Sequence, residues 1–357
     1  MTMIPIRRHD RTTAVHRFPA EWEPQSGVMI TWPHAYGDWA PVLDEASSTF
    51  AAIAAAITRH ERVLIVAYDT DHEARIRTAL KAARVDGARV RIVIAPSDDV
   101  FVRDHGPLAV EGAAGPILQD FAFNGWGRKY AYARDDALTR TLHAQGVFGT
   151  TPLESTDFVL EGGSVESDGA GTLLVTARCL LSPARNPKYG AAEIEALLAE
   201  RLAARRVLWL HHGYLAGDDT DGHIDTLARF CDPQTIAYCA CPWPDDEHYG
   251  ELKAMERELQ ALRTISGAPY RLVALPWPSA KLDVTGERMP ATYANFLIIN
   301  GAVLVPLYAD RQDHEALQVI GGCFPGREII GIPSLALIAQ HGSLHCATLQ
   351  LPPSVLA

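Results

Sequence analysis

The apolar positions of this chain alternate between two rhythms. Val28-Met29-Ile30-Thr31-Trp32 is a short apolar run stopped by Pro33, which predicts a buried strand. From Pro41 onward, Leu43, Phe50, Ile53 and Ile57 recur at helical spacing in an alanine-rich segment. Arg62–Tyr68 then reads as a strand and Asp69–Asp71 as a turn and cap. Ile76, Leu80 and Ala83 mark the face of a second helix, and Val90–Ala95 is another strand. Strand, helix, strand, helix, strand is an α/β order.

The same grammar returns further along. Thr172–Thr176 is a strand, Pro183–Pro187 a polar turn and Ala191–Ala204 a helix. Thr235–Cys241, Pro242–Asp246 and Glu247–Leu262 repeat that order. Asn295–Pro306 is a strand pair around the hairpin signal Asn300-Gly301, followed by a helix over Asp310–Ile320 and a strand over Glu328–Ile332. Units spaced by about 60 residues suggest an internal structural repeat. No glycine-rich phosphate loop opens any of these helices, and no Gly-, Ser- or Pro-rich linker divides the chain. The expectation is one domain over 18–357, preceded by a tail over 1–17.

Charge narrows the partners. Acidic residues outnumber basic ones by 43 to 32, a net charge of −11. That argues against nucleic acid or an anionic membrane, and suits a small cation. The longest apolar run, Tyr293–Ala309, is broken by Asn295, Asn300 and Pro306, so it does not predict a membrane span. Six irregularly spaced cysteines do not form a disulfide framework and point to a reduced, cytoplasmic protein with buried thiols.

Candidate chemistry gathers in four segments. Gly217–Asp225 places four carboxylates and one imidazole within nine residues. If a strand continues from there to Phe230, His223 and Asp225 share a face. The others are Val102-Arg103-Asp104-His105-Gly106-Pro107, Leu160-Glu161-Gly162-Gly163-Ser164, and His341-Gly342-Ser343-Leu344-His345-Cys346. Each sets a reactive side chain beside glycine, where backbone can approach a ligand. Singly, each has a plain alternative: Arg103-Asp104 as a surface ion pair, Glu161-Gly162-Gly163 as a turn, Cys346 as a buried thiol. The aromatics Trp32, Tyr36 and Trp39 suit either loop packing or a pocket wall. Together the four segments suggest a cysteine hydrolase. A thiolate attacks an electrophilic carbon, a histidine moves protons, and carboxylates orient the histidine and hold a planar cation. Paired carboxylates are the natural clamp for a guanidinium; Asp104 and Asp225 can supply them, and Glu161 can fix His223.

These segments, with Pro19–Pro33 at the start, occur in the order found in one family. The sequence resembles the agmatine deiminase and bacterial peptidylarginine deiminase family, of the guanidine-modifying superfamily, over nearly the whole chain. The resemblance implies a pentein fold: a five-bladed α/β propeller of five repeats with pseudo-fivefold symmetry and its active site in the central channel. It implies Cys346 as nucleophile, His223 as general acid and base, Glu161 as its positioning carboxylate, and Asp104 with Asp225 as the guanidinium pair. It implies no metal and no organic cofactor. The reaction implied is hydrolysis of agmatine to N-carbamoylputrescine and ammonia through a covalent thiouronium, in a protein that can form a homodimer. The family often carries Trp where this chain has Phe101, and a glycine-richer run before the cysteine. Those departures leave open another small guanidine, or arginine at peptide termini, as substrate. Asp99 and Asp218 are candidates for a distal amine; Arg103 and Trp32 complete the set of substrate-contacting candidates. Readings from other classes are a metallohydrolase built on His223, Asp225 and His345, and a non-catalytic propeller that binds.

Overall fold

The computed structural model describes residues 16–356. Of the expected tail over 1–17, residues 1–15 lie outside the described residues. Arg17 belongs to the fold: its backbone pairs with Glu111, and its guanidinium bonds Glu23 and Glu111.

Four three-stranded sheets share one plan. Their leading strands are Leu108–Gly112, Val165–Ser167, Ala228–Asp232 and Leu297–Ile299. Each pairs antiparallel with the next strand: Gly115–Ala122, Thr172–Thr176, Thr235–Cys239 or Ala302–Leu307. A helix follows in each case: Ala133–Ala144, Ala191–Leu202, Tyr249–Ala261 or Asp313–Cys323. The chain then returns as a parallel third strand, Leu153–Val159, Arg206–Leu210, Arg271–Leu275 or Glu328–Pro333. The fifth sheet joins the two ends of the chain. Leu349–Leu351 pairs antiparallel with Gly27–Thr31, which continues in parallel to Arg62–Ala67 and Val90–Ile94. A small hairpin, Lys281–Leu282 with Arg288–Met289, stands apart. No helix among the described residues is long and apolar enough to cross a membrane.

The continuous apolar runs have a simple cause. Val28, Ile30, Val63 and Ile65 enter one apolar cluster, while Met29, Leu64 and Val66 enter its neighbour. Both faces of these strands are therefore covered, so alternation between apolar and polar is lost. The helices keep their amphipathic period: Tyr249–Ala261 buries Leu252, Met255 and Leu259. Asp69 caps Thr70–Ala82 by accepting from the His72 N–H at 2.7 Å, as the Asp69–Asp71 cap signal predicts.

Two differences from the sequence reading matter. The first is that no strand runs on from His223. Ile224–Leu227 is a single helical turn, closed by Thr226, whose hydroxyl and N–H both bond the His223 carbonyl, and the strand starts at Ala228. His223 and Asp225 therefore do not share a strand face. The second is the region from Leu108 to Val159, where the sequence predicts no element and the chain forms a full unit of hairpin, helix and parallel strand.

Buried charge ties the sheets together. Arg229 is fully buried; it donates to Glu166 at 2.8 Å, to the Phe296 carbonyl at 2.8 Å, and to Glu21. Arg103 also reaches Glu21, at 3.2 Å, and bonds Gln350. Removing one partner of such a network leaves the others unpaired in a low-dielectric interior. Arg229→Leu is expected to lower stability by about 3–5 kcal/mol in urea unfolding; a loss below about 1 kcal/mol would contradict this role.

Candidate active site

Each leading strand is entered through a turn, and these turns face one cluster. Asp104 lies in the helical turn Val102–His105 before Leu108, and Glu161 stands at the turn Gly162–Ser164 before Val165. Asp225 lies in Ile224–Leu227 before Ala228, Asn295 just before Leu297, and Cys346 just before Leu349. Each of the five sheets thus contributes at least one polar or nucleophilic side chain, and the turn before Ala228 contributes both His223 and Asp225.

The geometry is tight. Asp225 Oδ2 lies 3.7 Å from the Cys346 sulfur, and Asn295 Nδ2 donates to that sulfur at 3.3 Å. Asn295 Oδ1 accepts from the His345 N–H at 2.8 Å, which fixes the turn carrying the thiol. Asp104 is held by the Trp126 indole N–H at 2.9 Å and the Gly163 N–H at 2.9 Å. His223 Nδ1 lies 3.5 Å from Asp104 Oδ1. Gly163 is the close point of the group. A Cβ there would lie 2.7 Å from His223 Nδ1, 2.8 Å from Asp104 Oδ1 and 2.9 Å from Asp225 Oδ2. Trp126 has a left-handed backbone (φ 53°), rare for a bulky residue, between Gly125 and Gly127. That conformation accompanies its bond to Asp104.

The charges follow from burial. Burial, with the Asp225 and Asp104 charges, holds the Cys346 thiol well above its usual range. Burial likewise pushes the Asp104 carboxyl up to about 6, aided by Asp225 against the opposing His223 charge. Burial disfavours the His223 imidazolium, yet Asp104, Cys179 and Glu161 raise its pKa to about 10. Burial raises Asp225 too, but the His345 hydrogen bond and nearby cationic charges take it below the ordinary value. The free site at neutral pH thus combines a thiol, an imidazolium and ionised carboxylates.

An open recess of about 410 Å³ leads to this point, with Cys346 and Asp104 exposed to it. Phe101, Trp126 and Tyr130 supply aromatic walls; Asp38, Asp99 and Asp219 supply negative charge. Trp39 stands behind the wall, packed on Phe101 and donating to Asp99 at 3.1 Å.

Cys346, His223, Glu161, Asp104 and Asp225 are therefore brought together. Other expectations need correction. The Glu161 oxygens both accept from Arg185, at 2.7 and 2.9 Å, and no hydrogen bond joins them to His223. Glu161 influences His223 by charge at short range rather than by a hydrogen bond. Arg103 points to Glu21 and Gln350 and lines a different cavity. Trp32 packs on Phe50 and also lines a separate cavity. Asp218 braces its own turn, accepting from Thr220 N at 3.0 Å, Thr220 Oγ1 at 2.6 Å and Gly222 N at 2.8 Å. Asp99 does line the recess. The ring nitrogens of His345 face Asp225 and Glu21, so neither is free to ligate a metal with His223 and Asp225.

Three neighbours escaped the sequence reading. Asn295 had a signal, as a polar residue inside an apolar run. Trp126 had one in its flanking glycines, and Arg185 had only its place in a polar turn.

The model of the Porphyromonas-type peptidyl-arginine deiminases matches residues 17–352. The chain belongs to this family. It is 33% identical to an agmatine deiminase of Pseudomonas aeruginosa, over 94% of this chain and 95% of the relative. An agmatine deiminase of Stutzerimonas stutzeri is 34% identical with the same coverage. Among solved structures, the agmatine deiminase of C. jejuni with substrate bound has a TM-score of 0.88 and 32% identity, over 95% of this chain and 97% of its own. A Porphyromonas gingivalis protein provisionally named an arginine deiminase has a TM-score of 0.88 and 49% identity, over 95% and 99%. An inosamine-phosphate amidinotransferase of Streptomyces griseus shares the fold alone, with a TM-score of 0.53 and 13% identity over 95% and 97%. The fold is the α/β pentein fold of the deiminases and amidinotransferases.

The crowding at Gly163 gives a direct test. Gly163→Ala is expected to lower deiminase kcat/KM by about 100-fold, since displacements near 1 Å have that effect. Kinetics and a thermal melt would check it. Near wild-type turnover would show that the three side chains need not meet there.

Proposed function

We propose that this chain is an agmatine deiminase, a hydrolase of the C–N bonds of linear amidines. The observation that carries the substrate is the character of the recess. It narrows to paired carboxylates beside a thiol, and its lining among the described residues holds Asp38, Asp99 and Asp219 but no Lys or Arg. Agmatine is cationic at both ends. Its guanidinium suits Asp104 and Asp225, and its distal ammonium suits Asp99 and Asp219. Free arginine would bring a carboxylate toward the same acids, and like charges at close range cost several kcal/mol. The curated relatives named agmatine deiminases support the reading.

The chemistry follows from the charges. The guanidinium enters between Asp104 and Asp225 and brings positive charge beside the sulfur, which lowers the Cys346 pKa, and the thiol proton leaves to solvent. The thiolate attacks the guanidinium carbon. His223 gives its proton to the departing nitrogen, ammonia leaves, and a covalent thiouronium remains. The now neutral His223 takes a proton from water, whose oxygen adds to the same carbon. The C–S bond breaks, the added hydroxyl gives up its proton as the carbonyl forms, the sulfur regains a proton as a thiol, and N-carbamoylputrescine is released. Glu161, held by Arg185, keeps negative charge near His223 and so favours its protonated form. Asn295 donates to the sulfur and favours the thiolate.

The same reading takes the five like sheets as blades of a propeller with pseudo-fivefold symmetry, and the recess as the mouth of its central channel. The plan shared by the four three-stranded sheets, and the site residues borne by the turns before five strands, support it.

Two measurements test the function. Agmatine should exceed free arginine in kcat/KM by at least about 100-fold; equal turnover would refute the assignment. The guanidinium clamp needs Asp104 ionised, and its pKa is raised to about 6, so kcat/KM should fall as pH drops through about 6. A profile flat down to pH 5 would contradict the clamp.

A further inference from the structure

His345 immediately precedes the proposed nucleophile and sits between two carboxylates. Its Nδ1 lies 2.8 Å from Asp225 Oδ2 and its Nε2 2.7 Å from Glu21 Oε1. The ring is almost fully buried, and Glu21 is anchored in turn by Arg229 and Arg103. The His345 backbone is fixed as well: its N–H donates to Asn295 Oδ1, and its carbonyl accepts from Arg103 Nε at 3.4 Å. Asp225 presents two unlike oxygens. Oδ2 takes the His345 donor and lies near the Cys346 sulfur, whereas Oδ1 is buried and has no hydrogen-bond partner among the described residues. A buried carboxylate oxygen without a donor is costly, and a guanidinium N–H is the donor it lacks.

We propose that His345 is a positioning residue for substrate: by donating from Nδ1 to Asp225 Oδ2, it fixes the carboxylate so that Oδ1 is left to receive the substrate guanidinium. The inference rests on the guanidine-hydrolase reading above. Its physical content is rotational. A carboxylate is free to turn about its terminal bond, and one short hydrogen bond from a ring that cannot move removes that freedom. The same bond draws negative charge on Oδ2 away from the adjacent sulfur, where it would oppose the thiolate. Burial, with the Arg103 and Arg229 charges, takes the His345 pKa below its ordinary value although Glu21 and Asp225 push it up; the hydrogen-bond geometry opposes that shift. Two ionised carboxylates at these distances are satisfied together only by two N–H donors, so geometry favours the imidazolium.

The two ring nitrogens can be separated by substitution. In His345→Asn the amide nitrogen can take the place of Nδ1; in His345→Gln it can take the place of Nε2. Binding is measured calorimetrically in a Cys346→Ala background, with agmatine as the cationic probe and N-carbamoylputrescine as its uncharged-headgroup counterpart. His345→Gln should weaken agmatine by about 10- to 100-fold, the value of one charge-assisted hydrogen bond, and change the ureido compound little. His345→Asn should recover most of the agmatine affinity. With Cys346 present, His345→Gln should raise KM more than it lowers kcat. Equal losses in both variants, or equal losses for both ligands, would overturn the proposal, because a merely structural histidine predicts those patterns. Asp225→Asn separates the two levels. If it leaves agmatine binding unchanged, the guanidine reading itself fails. If it weakens binding while His345→Gln does not, only the positioning role fails.

Discussion

The site depends on negative charge held in a buried place without enough positive charge to match it. Asp104 and Asp225 converge on Gly163 within reach of His223, and Glu161 is close by. Isolated buried carboxylates shift toward neutrality, as Asp104 does. The protein limits this in two ways. Arg185 takes up Glu161, and His345 with the Arg229–Glu21 network takes up one side of Asp225. What is left facing the recess is the side that a planar cation can satisfy. In the proposed reaction, the same imbalance keeps Cys346 a thiol until the guanidinium arrives, so binding and activation of the nucleophile are one event.

The fold makes this concentration affordable by spreading its origin. No single element carries two of the carboxylates. Each leading strand is entered through a turn, and the turn, not the strand, bears the functional side chain. Short turns suit the task, because their backbone N–H groups stay free to hold the carboxylates, as Gly163 holds Asp104. The apolar clusters on both sides of the strands fix the turns, and the buried Arg229 and Arg103 lock one sheet to the next.

Much of this was legible in the sequence, and the remainder was hidden for physical reasons. The α/β order was readable because the strands are covered on both faces and the helices on one, which gives runs and periods of different kinds. The residues brought to the site were readable where chemistry stands beside glycine: Asp104, Glu161, His223, Asp225 and Cys346. Strand alternation failed as the argument for pairing His223 with Asp225, because a helical turn intervenes. Partners were harder to see than functional groups. Arg185, Trp126 and Asn295 meet the site only through tertiary contacts between units, and nothing local marks an arginine that will face a glutamate 24 residues earlier. Arg103 and Asp218 misled in the opposite direction. They lie beside functional residues in sequence, yet their side chains turn away to a buried ion pair and a turn brace.

Of the six free and buried cysteines, Cys346 is the one proposed to form the covalent bond to substrate. Cys179 is the rival most exposed to doubt, since it lies beside His223 and Glu161. Acid quenching during turnover of agmatine, followed by peptide mass spectrometry, distinguishes them. A mass gain equal to agmatine less ammonia is expected on the peptide carrying Cys346 and on no other. That mass on the Cys179 peptide, or undiminished turnover after Cys346 alone has been alkylated, would contradict it.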